Sequence, residues 1–169
     1  QRAKGKYIFF IDNDDYIAKD YLQKHVEAAE MTNDDMIISG YKRVDENQKC
    51  IFYDKTKGNP VWEPFKRFAP WGRIYRKDFI VNNNLLFLNN IIGEDDFFNI
   101  IAATKTNKIS VLDYTGYFWT FNSKSISNTQ HIDPQLEQSA VYLLNQIFQN
   151  IDPSYLASNK NILIEYAFV

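Results

Sequence analysis

YIFFIDNDDYI, Tyr7 to Ile17, decides how the rest of this sequence is read. Five apolar residues run straight into Asp12, Asp14 and Asp15, three carboxylates within four positions. An apolar run without alternation is what a strand with both faces covered needs, so Tyr7 to Ile11 is predicted to be a central strand. Like charges this close repel one another, and water, a helix N-terminus or a metal ion has to compensate them. Asp14 and Asp15 stand where helix caps stand. Ile17, Tyr21, Leu22, Val26 and Ala29 follow at helical spacing, which predicts a helix running to about Met31. In open α/β sheets, ligands bind beyond the carboxyl ends of the strands, where these aspartates fall. Hard divalent cations such as Mg²⁺ or Mn²⁺ take carboxylate oxygens and share them with substrate phosphates. Asp-x-Asp at a strand end therefore reads as a clamp for a metal and a diphosphate, or as a cap and a turn, and the two are compatible. An EF-hand is excluded, because Tyr16 and Ile17 occupy the positions of an oxygen ligand and of the turn glycine.

Outward from this stretch the elements alternate. Strands are predicted over Met36 to Val44 and Ile51 to Tyr53, around a polar turn at Asp45 to Lys49. Pro60, Pro64 and Pro70 punctuate a loop-rich stretch before a short strand near Arg73 to Tyr75 and a short helix from Lys77. A helix from Glu94 to about Lys105, separate strands at Ile109 to Leu112 and Tyr117 to Phe121, and a polar loop at Ser123 to Ile132 come next. Two helices, from Pro134 to Gln149 and from Tyr155 onward, close the chain. The fold class is α/β with a mixed sheet.

The composition, 45% apolar and 24% charged in 169 residues, is that of a globular domain with a real core. A net charge of −2 gives no global attraction to nucleic acid or anionic lipid. Cys50 is the one cysteine, which rules out a disulfide framework or a thiolate metal cluster. No apolar run is long enough to span a bilayer. Arg2 to Gly5 lie hard against the best core strand, and Ile162 to Val169 end the sequence without a stop signal. A fragment of a larger protein is expected.

The second acidic cluster is GEDDFFN, Gly93 to Asn99. Glu94, Asp95 and Asp96 fall in the first turn of a predicted helix, where the macrodipole favours acids as structure alone. An ionised carboxylate facing a cleft is also what deprotonating a sugar hydroxyl requires.

AKGKYIFFIDNDDYI resembles the centre of the inverting family 2 glycosyltransferases of the GT-A fold. APWGRIYRKDFI, Ala69 to Ile80, is similar to that family's tryptophan-containing acceptor-side block, and GEDDFFN is similar to its Glu-Asp motif. FWTFNSKSISN, Phe118 to Asn128, resembles the end of the catalytic region more weakly. The resemblance implies a GT-A, Rossmann-like domain whose C-terminal part is residues 1–128, followed by a helical extension over 129–169. It implies transfer of a sugar from a nucleoside diphosphate sugar to a saccharide or lipid-linked saccharide, with inversion, in bacterial surface polysaccharide synthesis. Mn²⁺ or Mg²⁺ would be the cofactor, with Asp14 as direct ligand and Asp12 near the ribose or the metal shell. Asp95 would be the base, Glu94 its orienting neighbour, and Trp71 and Arg73 would lie on the acceptor side. A cytoplasmic enzyme, peripheral at the inner face of the membrane, is implied, with no nucleic-acid partner.

Several positions depart from the family pattern. The nucleotide-binding first half is absent, so the chain alone is expected to be inactive and to self-associate through an exposed sheet edge. Arg73 replaces a lysine common among relatives. Thr120 and Asn122 stand where a basic residue is expected, with Lys124 as a substitute. His131 is a weaker metal-ligand candidate, and His25 reads as structural. A haloacid dehalogenase-type phosphatase also opens on a strand and Asp-x-Asp, but Tyr16 follows Asp15 where that class has Gly and Thr. A non-catalytic saccharide-binding module is the third reading, on the aromatic share of 16%.

Overall fold

The computed structural model describes residues 2–67, 69–89, 93–122 and 134–167. Its described strands form one mixed sheet in the order β1 (Tyr7–Phe9), β5 (Arg73–Arg76), β3 (Met36–Val44), β6 (Ile109–Thr120), β2 (Tyr16–Ile17), with β4 (Cys50–Asp54) paired to β3. β3 and β6 run parallel and the remaining pairs antiparallel. The first third of β3 pairs with β5 and its last third with β4, while β6 follows it throughout.

Helices α1 (Tyr21–Thr32) and α3 (Glu94–Thr104) cover opposite faces of the sheet. Alternation along β3 sends Met36 and Ile38 into a core with Tyr75, Phe98 and Ile101, while Ile37 packs with Ile74, Ala28 and Ala29. A short helix α2 (Lys77–Asn82) adds Phe79 to the first core. α4 (Pro134–Asn150) packs on α3, and Ile147 together with Ile151 completes that core. α5 (Pro153–Ala167) is broken by a non-helical Asn159. Each large side chain buried here contributes roughly 1.5–3 kcal/mol.

Three expectations are corrected. β1 ends the order of described strands instead of lying at its centre. Its double-sided apolarity reports two covered faces and not two hydrogen-bonded neighbours: Phe9 packs on Tyr21 and Tyr117, and Phe10 on Tyr75, Phe87 and Phe98. The helix after the aspartates starts only at Tyr21, because Tyr16 and Ile17 first pair with β6 and the Ala18 amide donates to Gly116 O. Asp20 then precedes the helix without capping it, accepting instead from Tyr114 Oη at 2.5 Å and pairing with Lys24 Nζ at 2.9 Å. Finally, β6 is a single strand of twelve residues. Its Asp-Tyr-Thr-Gly interior bulges where it passes Gly40, instead of breaking the strand.

Candidate active site

The turn after β1 is anchored at long range. Asp15 is half-buried and accepts two hydrogen bonds from β6, from Tyr117 Oη at 2.5 Å and from the Thr120 amide at 2.8 Å. The Asp12 amide donates to Tyr117 Oη at 3.4 Å, and the Asp15 amide closes the turn onto Asp12 O at 3.2 Å. With Asp15 so engaged, the side chains of Asp12 and Asp14 remain exposed. Burial pushes the Asp15 carboxyl up to about 6 against the lowering effect of its two donors. The Tyr117 hydroxyl is pushed up by burial and by the Asp15 carboxylate it binds.

The second acidic turn opens α3. Gly93 precedes the helix at φ 91°, a backbone region that other residues enter only with strain, and a Cβ there would stand 2.6 Å from Leu143 of α4. Glu94, Asp95 and Asp96 occupy the first turn and are all half-buried. Burial, then the charges of Glu94 and of Asp12, push the Asp95 carboxyl up to about 6. The charge of Asp12 is thus near enough to act on Asp95, although 83 positions separate these residues in the sequence. Asp12 is itself raised, by partial burial and by Asp14. At Asp96 one carboxyl oxygen is 3.4 Å from the Cβ position of Gly93, the other is buried without a partner, and burial, then the charges of Asp95 and Glu94, raise it to about 7.

Among the described residues no three carboxylate, histidine or cysteine side chains converge as a ready metal cluster. The exposed carboxylates Asp12 and Asp14 still suit Mg²⁺ or Mn²⁺, which take one or two protein carboxylates and complete their shell with substrate phosphates and water. A cation would also relieve the repulsion that, after burial, Asp14 adds at Asp12 and Glu94 and Asp12 add at Asp95.

Trp71 and Arg73, expected beside an acceptor, are interior instead. Trp71 is 6% exposed, with one ring face stacked on Tyr117 at 4.5 Å and its edge region against Tyr41 and Trp119, so it backs the tyrosine that holds Asp15. Arg73 is fully buried and donates to Pro64 O and Arg67 O, each at 3.3 Å. Arg67 beside it donates to Ser39 O at 2.8 Å and lies over Tyr41, and burial together with Arg73 lowers it to about 10. The two guanidiniums tie the loop before β5 to the sheet. Gly72 lies between, at φ 72°, where a Cβ would collide with the Arg67 guanidinium.

His25 is structural, as expected: fully buried, stacked on Tyr21 at 4.0 Å, and held near 4 by burial. Thr120 contributes through its amide and not its side chain. Lys124 and His131 lie outside the described residues. Reading the sequence missed Tyr117 as the anchor of the first turn. It also missed the chain in which Tyr75 Oη donates to Asn99 Oδ1 at 2.9 Å, one helical turn beyond Asp95. A cavity of about 740 Å³ at the other end of the sheet, between Asp35, Lys105 and Tyr155, is lined by neither acidic turn.

The model of the family Glycosyl transferase family 2 matches residues 1–127. The chain belongs to that family. It is 28% identical over 139 residues to the uncharacterized glycosyltransferase EpsJ of Bacillus subtilis (strain 168), covering 74% of this chain and 40% of that protein. It is also 28% identical over 138 residues to the poly(ribitol-phosphate) beta-N-acetylglucosaminyltransferase TarS of Staphylococcus aureus (strain MW2), covering 70% of this chain and 22% of TarS. The structure of S. aureus TarS 1-349 in complex with UDP-GlcNAc superposes with a TM-score of 0.72 at 21% identity, over 98% of this chain and 48% of that one. The mixed α/β sheet is thus a GT-A, Rossmann-like fold, and the chain spans less than half the length of these relatives. The phosphatase reading falls with the family match.

Proposed function

We propose that this chain carries the metal-binding and acid-base half of an inverting glycosyltransferase of bacterial surface polysaccharide synthesis. What supports this is that the charge of Asp12, an exposed strand-end carboxylate, acts on Asp95, a half-buried helix-start one. Asp14, with Asp12 beside it, would hold Mn²⁺ or Mg²⁺, which when bound supplies Lewis-acid stabilisation of the departing diphosphate. Asp95 would take the proton of the acceptor hydroxyl as that oxygen attacks the sugar, and Glu94 would orient the acceptor. A carboxyl partly withdrawn from water is a stronger base than a fully solvated one, which suits this task.

The donor would be a nucleoside diphosphate sugar. UDP-sugars are the first to try, since the TarS structure holds UDP-GlcNAc. The acceptor would be a saccharide, lipid-linked saccharide or polyol-phosphate chain, as the name of TarS specifies for that enzyme. No helix among the described residues is long and apolar enough to cross a membrane, and peripheral association at the cytoplasmic face is part of the proposal. So is pairing of the open β1 edge with another strand.

The test is Asp95→Asn in the full-length protein. Donor binding should persist while the initial transfer rate drops on the order of 10²- to 10⁴-fold, the usual contribution of a general base. Full transfer activity in this variant would remove Asp95 from the role and pass it to Glu94.

A further inference from the structure

Beside the acidic site, four side chains from four different strands line up in one row of the sheet. Tyr16 of β2 pairs with Phe118 of β6, Phe118 with Lys42 of β3, and Lys42 with Tyr53 of β4. The Tyr16 and Phe118 rings are stacked, with centroids 4.6 Å apart and planes within 6°. Lys42 Nζ lies 5.6 Å from the ring centroids of both Phe118 and Tyr53, so the ammonium is held between two aromatic rings. The row begins at the residue that follows Asp15 and ends on β4, where Tyr53 is 52% exposed; its other members are half-buried.

Lys42 has no carboxylate partner among the described residues. The acid nearest in sequence on β4, Asp54, is held by Lys66 at 2.5 Å. The next residue, Arg43, points to the other face, over Trp119 and Phe121. The row thus combines flat, partly exposed rings with one uncompensated cation. Three strand spacings of about 4.8 Å give it a length of about 14 Å, leading directly away from Asp14 and Asp15.

We propose that this row binds an extended saccharide chain bearing phosphate groups, with sugar rings against Tyr16 and Tyr53 at its two ends and a phosphate at Lys42 between them; Phe118, covered by Tyr16 and Lys42, holds the two in place. Aromatic rings present apolar faces that match the C–H faces of sugar rings. An ammonium already positioned by two rings meets a phosphate oxygen with little further loss of side-chain freedom. On the transferase reading, on which this rests, the bound chain is the acceptor, and the row delivers its end to Asp95.

The experiment measures binding to the protein of a short maltooligosaccharide carrying phosphate esters, against the same oligosaccharide without them, by calorimetry at two salt concentrations. The phosphorylated probe should bind more tightly, with an affinity that falls as salt rises. Lys42→Ala should weaken it by about tenfold, Lys42→Arg should retain most of the binding, and Tyr53→Ala should weaken both probes. Circular dichroism of the Lys42 and Tyr53 variants, both at exposed or half-exposed positions, checks that they fold. Absence of binding by the parent, or equal binding by parent and Lys42→Ala, overturns the proposal. Nucleoside diphosphate binding by the full-length protein, measured alongside with Mn²⁺, reports separately on the transferase. Binding of the phosphorylated probe through Lys42 with no nucleotide binding by the full-length protein keeps the row and removes the enzyme reading.

Discussion

The turn after β1 and the first turn of α3 are built from the same residue types, yet the fold treats them in opposite ways. In the first, one carboxylate of three is spent on anchoring: Asp15 is fastened to β6 by Tyr117 and the Thr120 amide, which leaves Asp12 and Asp14 in solvent. In the second, all three are half-buried, and Asp95 and Asp96 are raised to about 6 and about 7. Exposed carboxylate oxygens are what a hard cation needs, and a partly desolvated carboxyl is what a proton acceptor needs. On the proposed reading, the difference between the turns is a division of labour set by burial and not by residue identity.

The contrast breaks most visibly at Asp14. Asp14→Asn should weaken metal-dependent donor binding by at least about 100-fold, the upper end of the cost of losing even an outer-shell partner, with part of the loss recovered at high Mn²⁺. Donor binding like the parent's in this variant would make the turn a purely structural feature.

Within the first turn, Asp15 and Asp14 should separate in a melting experiment. Asp15→Ala leaves the Tyr117 hydroxyl and the Thr120 amide without their acceptor and should cost ~2–3 kcal/mol. Asp14→Ala, at an exposed position, should stay within ~0.5 kcal/mol of the parent. Equal losses would erase the distinction between anchor and ligand.

Within the second turn, the smallest effect is expected at Asp96. Its folded carboxyl is raised to about 7 by burial and by Asp95 and Glu94, so the folded state binds the proton more tightly than the unfolded chain does. Stability from this group is therefore fully present below the unfolded value near 4 and is lost as pH rises through about 7. Asp96→Asn removes the dependence. The variant should match the parent at low pH and exceed it by ~1–2 kcal/mol above pH 7, once the partial exposure of the site is discounted. A pH-independent difference between the two proteins would place the carboxyl in water.

Much of this was legible in the sequence. β3 was predicted with the bounds it has, and α3 starts at Glu94 as its acidic first turn and the preceding Gly93 imply. Both acidic turns announced themselves by charge density next to apolar runs. What failed did so wherever a long-range contact decided the outcome. Nothing near Asp15 in the sequence points to Tyr117, 102 positions away, so Asp15 read as a helix cap. The resemblance of Ala69 to Ile80 to a family block places Trp71 and Arg73 on the acceptor side. In the fold they fill the interior behind the site, where Trp71 stacks on Tyr117 and Arg73 donates to two backbone carbonyls. Ile109 to Leu112 and Tyr117 to Phe121 read as separate strands, and the Asp-Tyr-Thr-Gly stretch between them is a bulge because β3 runs alongside it and continues the ladder on either side.

The central claim is that the two acidic turns form one site, and Mn²⁺ tests it directly, because a paramagnetic ion broadens the NMR signals of nearby nuclei. Amide spectra of the protein are recorded with Mn²⁺, with and without a nucleoside diphosphate. The account predicts loss of the amide signals of Asp12 to Asp15 together with those of Glu94 to Asp96, sparing Asp152 and Ser154 beside the cavity at the far end of the sheet, and return of all of them in Asp14→Asn. Broadening at Asp12 to Asp15 that leaves Glu94 to Asp96 untouched would contradict it.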